Sequence, residues 1–155
     1  MSPEDRLAAL GLVLPAPAAP VANYVPYVQI GELLIVSGQL SFGADGKLAA
    51  RHTGKLGRDV FHEAGQEAAR LCAINLLAQA KAALGNLARI KRCVRLGGFI
   101  NCAPEFNALA AVMNGASDLV VHVLGEKGRH ARSTIGVAEL PLDSAVEVEA
   151  VFAVA

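Results

Sequence analysis

The segment from residue 130 to 150, HARSTIGVAELPLDSAVEVEA, sets one arginine among small residues and follows it, after a proline turn, with two glutamates spaced by two. Arg132 presents a planar fork of N–H donors, charged at any ordinary pH, that suits the two oxygens of a carboxylate. A carboxylate such as Glu147, placed near an electrophilic carbon, can orient water or act as general base without any metal or cofactor. The same residues also have a plain reading: an interface ion pair for Arg132, and a solvated or paired strand face for Glu147 and Glu149. His52, His62, His122 and His130 are scattered without metal-ligand spacing, and only His130 lies close to Arg132. Cys72, Cys93 and Cys102 are odd in number and lack CxxC spacing, so they read as buried thiols and not as a zinc site or a disulfide framework. No metal or cofactor is expected.

These side chains need elements to hold them. Residues 3 to 11 suit a short helix ending at Gly11, and LPAPAAP after it imposes extended chain, so residues 1–20 read as an arm or strap. YVQI and ELLIVSGQL, joined around Gly31 and Glu32, predict a hairpin of β-branched strands. A helix is predicted from Asp59, as N-cap, to Leu84 with Gly85 as its stop; Ala64, Ala68, Cys72 and Leu76 form a small inner face made for close packing. IKRCVRLGGFIN predicts a third strand whose glycine pair marks a bulge or a close approach. A second helix follows over 105–124, stopped by Gly125. RSTIGVAEL and AVEVEAVFAV then read as two strands of a hairpin turning at PLDS and pairing residue 139 with 146.

Alternation along those last strands puts Val146, Val148, Ala150, Phe152 and Val154 on one face, and Ser133, Ile135 and Val137 with them, to meet the helices. Arg132, Thr134, Gly136, Glu147 and Glu149 fall on the reverse face. That face mixes charges with Val, Ala, Gly and Thr, and is less polar than a freely solvated sheet surface. Two helices can cover only one side of such a sheet, so a second copy of the same sheet is the simplest cover for the other.

The whole chain of 155 residues is long enough for one domain with a real core, taken as residues 21–155 behind the arm. Lys plus Arg and Asp plus Glu both number 14, leaving no excess positive charge to neutralise phosphates, so nucleic acid is not expected as a main partner. Hydrophobic residues make up 54%, but much of that is alanine and no run approaches the ~20 apolar residues of a membrane span. With acids before its first apolar stretch and no basic leader, the chain is expected to be soluble and cytoplasmic.

PYVQIGELLIVSGQL, GQEAARLCAINLLAQAKAALGNLARIKRCVRLGGFIN and ARSTIGVAELPLDSAVEVEA together resemble the Rid family, the reactive intermediate imine deaminases, also called YjgF-like proteins. The resemblance spans roughly residues 24 to 155, and its most specific part is the Arg-Ser pair, the strand, ELP and the Glu-x-Glu strand. It implies a chorismate-mutase-like α+β fold, a mixed sheet with two helices on one face, and a homotrimer with sheets facing inward and ligand clefts between subunits. It implies hydrolysis of 2-imino acids to 2-keto acids and ammonia in those clefts, or, as the alternative, binding of small carboxylate metabolites without turnover. Carried onto this sequence, Arg132 would hold the substrate carboxylate and Glu147 would position the attacking water. Tyr27 and Gly38 would line the cleft, and Asn114 is the counterpart of a family asparagine on the second helix. On their own, Tyr27 reads as a core or rim aromatic and Gly38 as room for close backbone packing. The chain departs from many deaminating members in carrying Thr134 where they have cysteine, in a longer loop around RHTGKLG that is placed to reshape or cover the cleft, and in the N-terminal arm. Older family names point to a ribonuclease or a translation inhibitor, which the balanced charge does not favour.

Overall fold

The computed structural model describes all 155 residues. Strands β1 (Tyr27–Ile30) and β2 (Leu33–Leu40) form the expected antiparallel hairpin. Its turn works because Gly31 adopts φ +57°, a left-handed conformation that costs glycine little. Helices α2 (His62–Leu84) and α3 (Leu109–Leu124), strands β3 (Ile90–Asn101), β4 (Ala131–Val137) and β5 (Val146–Val154), and a short leading helix α1 (Pro3–Ala9) complete the chain. One five-stranded sheet results, in the order β1-β2-β5-β3-β4. The helices cover one face of it, the α+β architecture expected.

The closing strands are not a hairpin. β4 pairs with β3, in parallel, with Arg132 opposite Leu96, while β5 runs antiparallel between β2 and β3. A parallel pair needs a long crossover, and α3 supplies it between β3 and β4. Residues 138–145 then carry the chain across the end of β3. This connection is pinned by the loop flagged as long in the sequence. Lys55 Nζ donates to Asn101 Oδ1 (2.8 Å) and to the Ala138 carbonyl. Asn101 Nδ2 donates to Asp143 Oδ1 (3.0 Å), and Gly54 N–H donates to the Asp143 carbonyl (2.7 Å). Leu142 and Asp143 hold φ 56° and 57°, a left-handed pair unusual for residues with side chains. Leu56, near the loop's end, is fully buried, and its backbone bridges to Cys102. Residues 51–57 are thus a plug on the sheet's end.

The pairing reverses the expected facing of β4. Arg132 and Thr134 stand level with core residues Leu96 and Val148, so they face the helices; Ser133, Ile135 and Val137 turn to the open face, where Ile135 is half exposed. Two helix starts also differ from expectation. α2 begins at His62 behind Phe61, with no side-chain cap, because the Asp59 carboxylate accepts from Lys55 N–H (3.0 Å) and pairs with Arg58 instead. α3 begins at Leu109, since Pro104 is followed by Glu105 at φ 72°, which no helix tolerates. The stops at Gly85 and Gly125 are as read.

The small inner face of α2 lies on the sheet, with Ala68, Cys72 and Leu76 fully buried. From Cys72 to Ala80 every residue of α2 is buried, because the N-terminal arm covers its outer side. Gln79 Nε2 fastens the arm there, donating to the Ala18 carbonyl (2.8 Å). α1 adds Leu7 to the core. Phe152, Leu34, Leu77, Leu96, Ile100 and Met113 are among the large side chains fully removed from solvent, each contributing about 1.5–3 kcal/mol.

Candidate functional site

Two groups of the expected residues assemble, on opposite faces of the sheet. The first lies between β4 and α3. Ala110, Asn114 and Ser117 recur at the spacing of one helix face, and all three accept from Arg132. Nη1 donates to Asn114 Oδ1 (2.9 Å) and Ser117 Oγ (3.0 Å), and Nη2 donates to the Ala110 carbonyl (3.3 Å). Three of the five guanidinium N–H groups are thereby engaged. The Nε–H and one Nη2–H keep no acceptor within the chain, and such a neighbouring pair matches the two oxygens of a carboxylate. Thr134, two residues along the same face, has a buried Oγ1 without a hydrogen-bond partner. His130 adjoins the group through Ser117, Nε2 to Oγ at 2.9 Å.

The second group lies on the open face. Glu147 stands level with Leu40 on β2 and Phe99 on β3, half-buried. Burial, and next the neighbouring Glu149 carboxylate, raise its pKa, and no donor of the chain offsets them. Gly38 makes its position possible: a Cβ there would stand 2.6 Å from Glu147 Oε2 and 2.8 Å from Cδ. A cavity of about 40 Å³ adjoins the carboxylate, lined among others by Gly38, Tyr24, Pro26 and Pro141 and by Ala18 to Val21 of the arm. That is room for a few waters and not for a substrate side chain. Tyr27 does not line it; paired with Val36, it packs against the core. A wider groove of about 540 Å³ between α1, the arm and α2 contains Glu4 and Lys81 but none of the residues above.

So Gly38 and Glu147 come together, as do Arg132, Asn114 and Thr134, and the two groups remain apart. Three residues along the strand and two strand spacings separate the Arg132 and Glu147 backbones by roughly 14 Å, with side chains on opposite faces. Sequence reasoning missed Ser117 and Tyr24. Ser117 was legible in principle, because it follows Asn114 by three on a helix; Tyr24 lies in irregular chain, where no periodicity points.

A family model described as "YjgF/chorismate_mutase-like, putative endoribonuclease" matches residues 4–154. The chain belongs to the YjgF family. Protein TCP17 of Trypanosoma cruzi is 50% identical to it over 146 residues, 94% of this chain and 89% of that protein. Among solved structures, Atu1372 of Agrobacterium tumefaciens is 49% identical with a TM-score of 0.91, over 99% of this chain and 92% of its own. A Shewanella oneidensis protein with the same endoribonuclease description is 39% identical with a TM-score of 0.95, over 99% and 100% of the two chains. RidA from an Antarctic Psychrobacter is more distant, at 28% identity and a TM-score of 0.61, over 92% and 96%. The expected Rid kinship therefore holds within the YjgF family, and the arm and the long loop fall inside the stretch shared with the Agrobacterium and Shewanella proteins. No helix is long and apolar enough to cross a membrane.

Proposed function

We propose that this YjgF-family chain is a hydrolytic deaminase of reactive 2-imino and enamino acids, with its clefts formed between three copies. The observation that carries the reading is Glu147: a half-buried, unpartnered carboxylate beside water-sized space, its position secured by a glycine. Such a group is unfavourable for folding and suited to orienting water. Arg132, with two free donors, supplies the matching carboxylate anchor. Because the two face opposite sides of one sheet, a common site takes Arg132 from one copy and Glu147 from its neighbour.

The open face supports assembly. Val28, Ile30, Leu33 and Ile35 are between 41% and 65% exposed, and Leu33 and Ile35 stand beside Ala153 and Val151 of β5 on the same face. So continuous an apolar surface favours cover by another copy.

In the cleft, the 2-imino acid's carboxylate takes the Arg132 fork, which directs its C2 toward the water held by Glu147. Water adds to the protonated C=N carbon while Glu147 accepts a proton. Glu147 returns that proton to the carbinolamine nitrogen; the C–N bond then breaks to expel ammonia while the hydroxyl proton passes to Glu147 and on to solvent, leaving the 2-keto acid. One water is consumed and nothing is oxidised or reduced. An enamine enters by protonation at C3 to the imine. An endoribonuclease reading fits less well, since the chain's charges balance and an unpaired carboxylate repels a phosphodiester.

The test is release of 2-keto acid from imine generated in situ. Acceleration over buffer, lost in Glu147→Gln, is expected. Tight binding of keto acids with no acceleration would instead assign the cleft to a non-catalytic carboxylate-binding protein.

A further inference from the structure

We infer that Ser117 and His130 are positioning residues that set the direction of the Arg132 fork through a one-way chain of hydrogen bonds ending on the main chain. The inference rests on the reading of Arg132 as carboxylate anchor. The chain starts at Gly128, which is buried and pressed so closely on α3 that a Cβ would collide with the Val120 carbonyl. Its own carbonyl is therefore fixed. His130 Nδ1 lies 2.6 Å from that carbonyl oxygen. A carbonyl only accepts, so Nδ1 carries the proton, and in the neutral ring Nε2 must then be an acceptor.

Ser117 Oγ is 2.9 Å from Nε2 and supplies the only hydroxyl proton available to it. With its proton directed to His130, Ser117 turns its lone pairs toward Arg132 Nη1, 3.0 Å away, which can only donate. Every link has a single direction. Without His130, the hydroxyl is free to rotate toward its own helix, where serine ordinarily donates to the carbonyl four residues earlier. Nη1 would then keep Asn114 alone as a firm acceptor, and the guanidinium could turn its open edge away from the cleft. Neither Ser117 nor His130 needs to touch substrate; both act by restricting where the two free donors point.

The experiment uses the intact assembly and 2-oxobutanoate as the carboxylate probe, by calorimetry. Ser117→Ala and His130→Ala are each expected to weaken binding roughly five- to tenfold, the loss of about one hydrogen bond. The double variant should be no weaker than either single one, because both break the same chain. Ser117→Thr, which keeps the hydroxyl, and His130→Gln, which keeps an acceptor for it, should recover most of the affinity; a merely structural role would not follow that pattern. Wild-type affinity in both alanine variants, with binding lost in Arg132→Ala, would overturn the positioning role and leave the anchor standing. If Arg132→Ala binds as well as wild type, or wild type does not bind, the anchor reading fails. The positioning role is then decided by nitrogen NMR of the Arg132 side chain. Slowly rotating, resolved Nη signals that merge in Ser117→Ala and His130→Ala sustain it, and signals unchanged in both overturn it.

Discussion

Glu147 has burial and a neighbouring carboxylate acting against its charge, and only Gly38 leaves space for it. Gly38→Ala should therefore displace the carboxylate and not the backbone, since a flexible side chain is what the new Cβ meets. Imine hydrolysis is expected to fall on the order of 100-fold, the usual consequence of an ångström-scale misplacement, with the melting temperature nearly unchanged. Glu147→Gln tests the electrostatics. Below the ordinary carboxyl value of 4.5, Glu147 is protonated in folded and unfolded chains alike and exerts no effect. As pH rises past that value the unfolded chain ionises first, so wild type loses stability up to the raised folded pKa and no further. The glutamine variant should thus melt higher than wild type at neutral pH, with the gap closing below 4.5. No gap at pH 7 would mean that a neighbouring copy's cation compensates the carboxylate. At Arg132, lysine keeps the charge but not the fork, and Arg132→Lys should weaken keto-acid binding by about 1.5–3 kcal/mol in calorimetry.

Among the elements, α2 and α3 pack tightly at Gly115. A Cβ at Gly115 would run into the Gln66 carbonyl, backbone against helix, where nothing flexible can yield. Gly115→Ala should cost about 1–3 kcal/mol despite alanine's better helix propensity, measured by urea unfolding. Asn114 is the next residue along α3, on the face toward β4, so a shift of this helix should also loosen Arg132. β4 depends on α3 in return: it is an edge strand, and its inward Arg132 finds its polar partners only on that helix.

In the whole molecule, the open face and the split site make one prediction together. Sedimentation equilibrium should give a trimer at micromolar concentration. Arg132→Ala and Glu147→Gln, each inactive alone, should regain part of the wild-type imine hydrolysis when unfolded and refolded together, because some mixed interfaces receive an intact arginine and an intact glutamate. Co-assembled trimers as inactive as either parent would place both residues' roles within one chain, against the geometry of the sheet.

Local patterns in the sequence were enough for most elements. Richness in Val and Ile around a turn marked β1 and β2, apolar alternation marked β5, the Gly85 and Gly125 stops ended both long helices, and β3 was legible residue for residue from Ile90 to Asn101. Glu147 was also assigned to its correct face, since the large apolar residues on either side of it leave one choice. Facing for β4 was not legible. Alternation says that Arg132 and Ser133 point opposite ways, but not which of them meets a helix. A short connection to β5 suits a hairpin as well as a crossing over the end of β3. That choice is made by the α3 crossover, by the Lys55 and Asn101 contacts that pin residues 138–145, and by acceptors 15 to 22 residues away from Arg132 in the chain. These contacts are long in sequence and short in space, so residue types and spacing could nominate Arg132 and Glu147, while only tertiary packing decided that one chain holds them on opposite faces of its sheet.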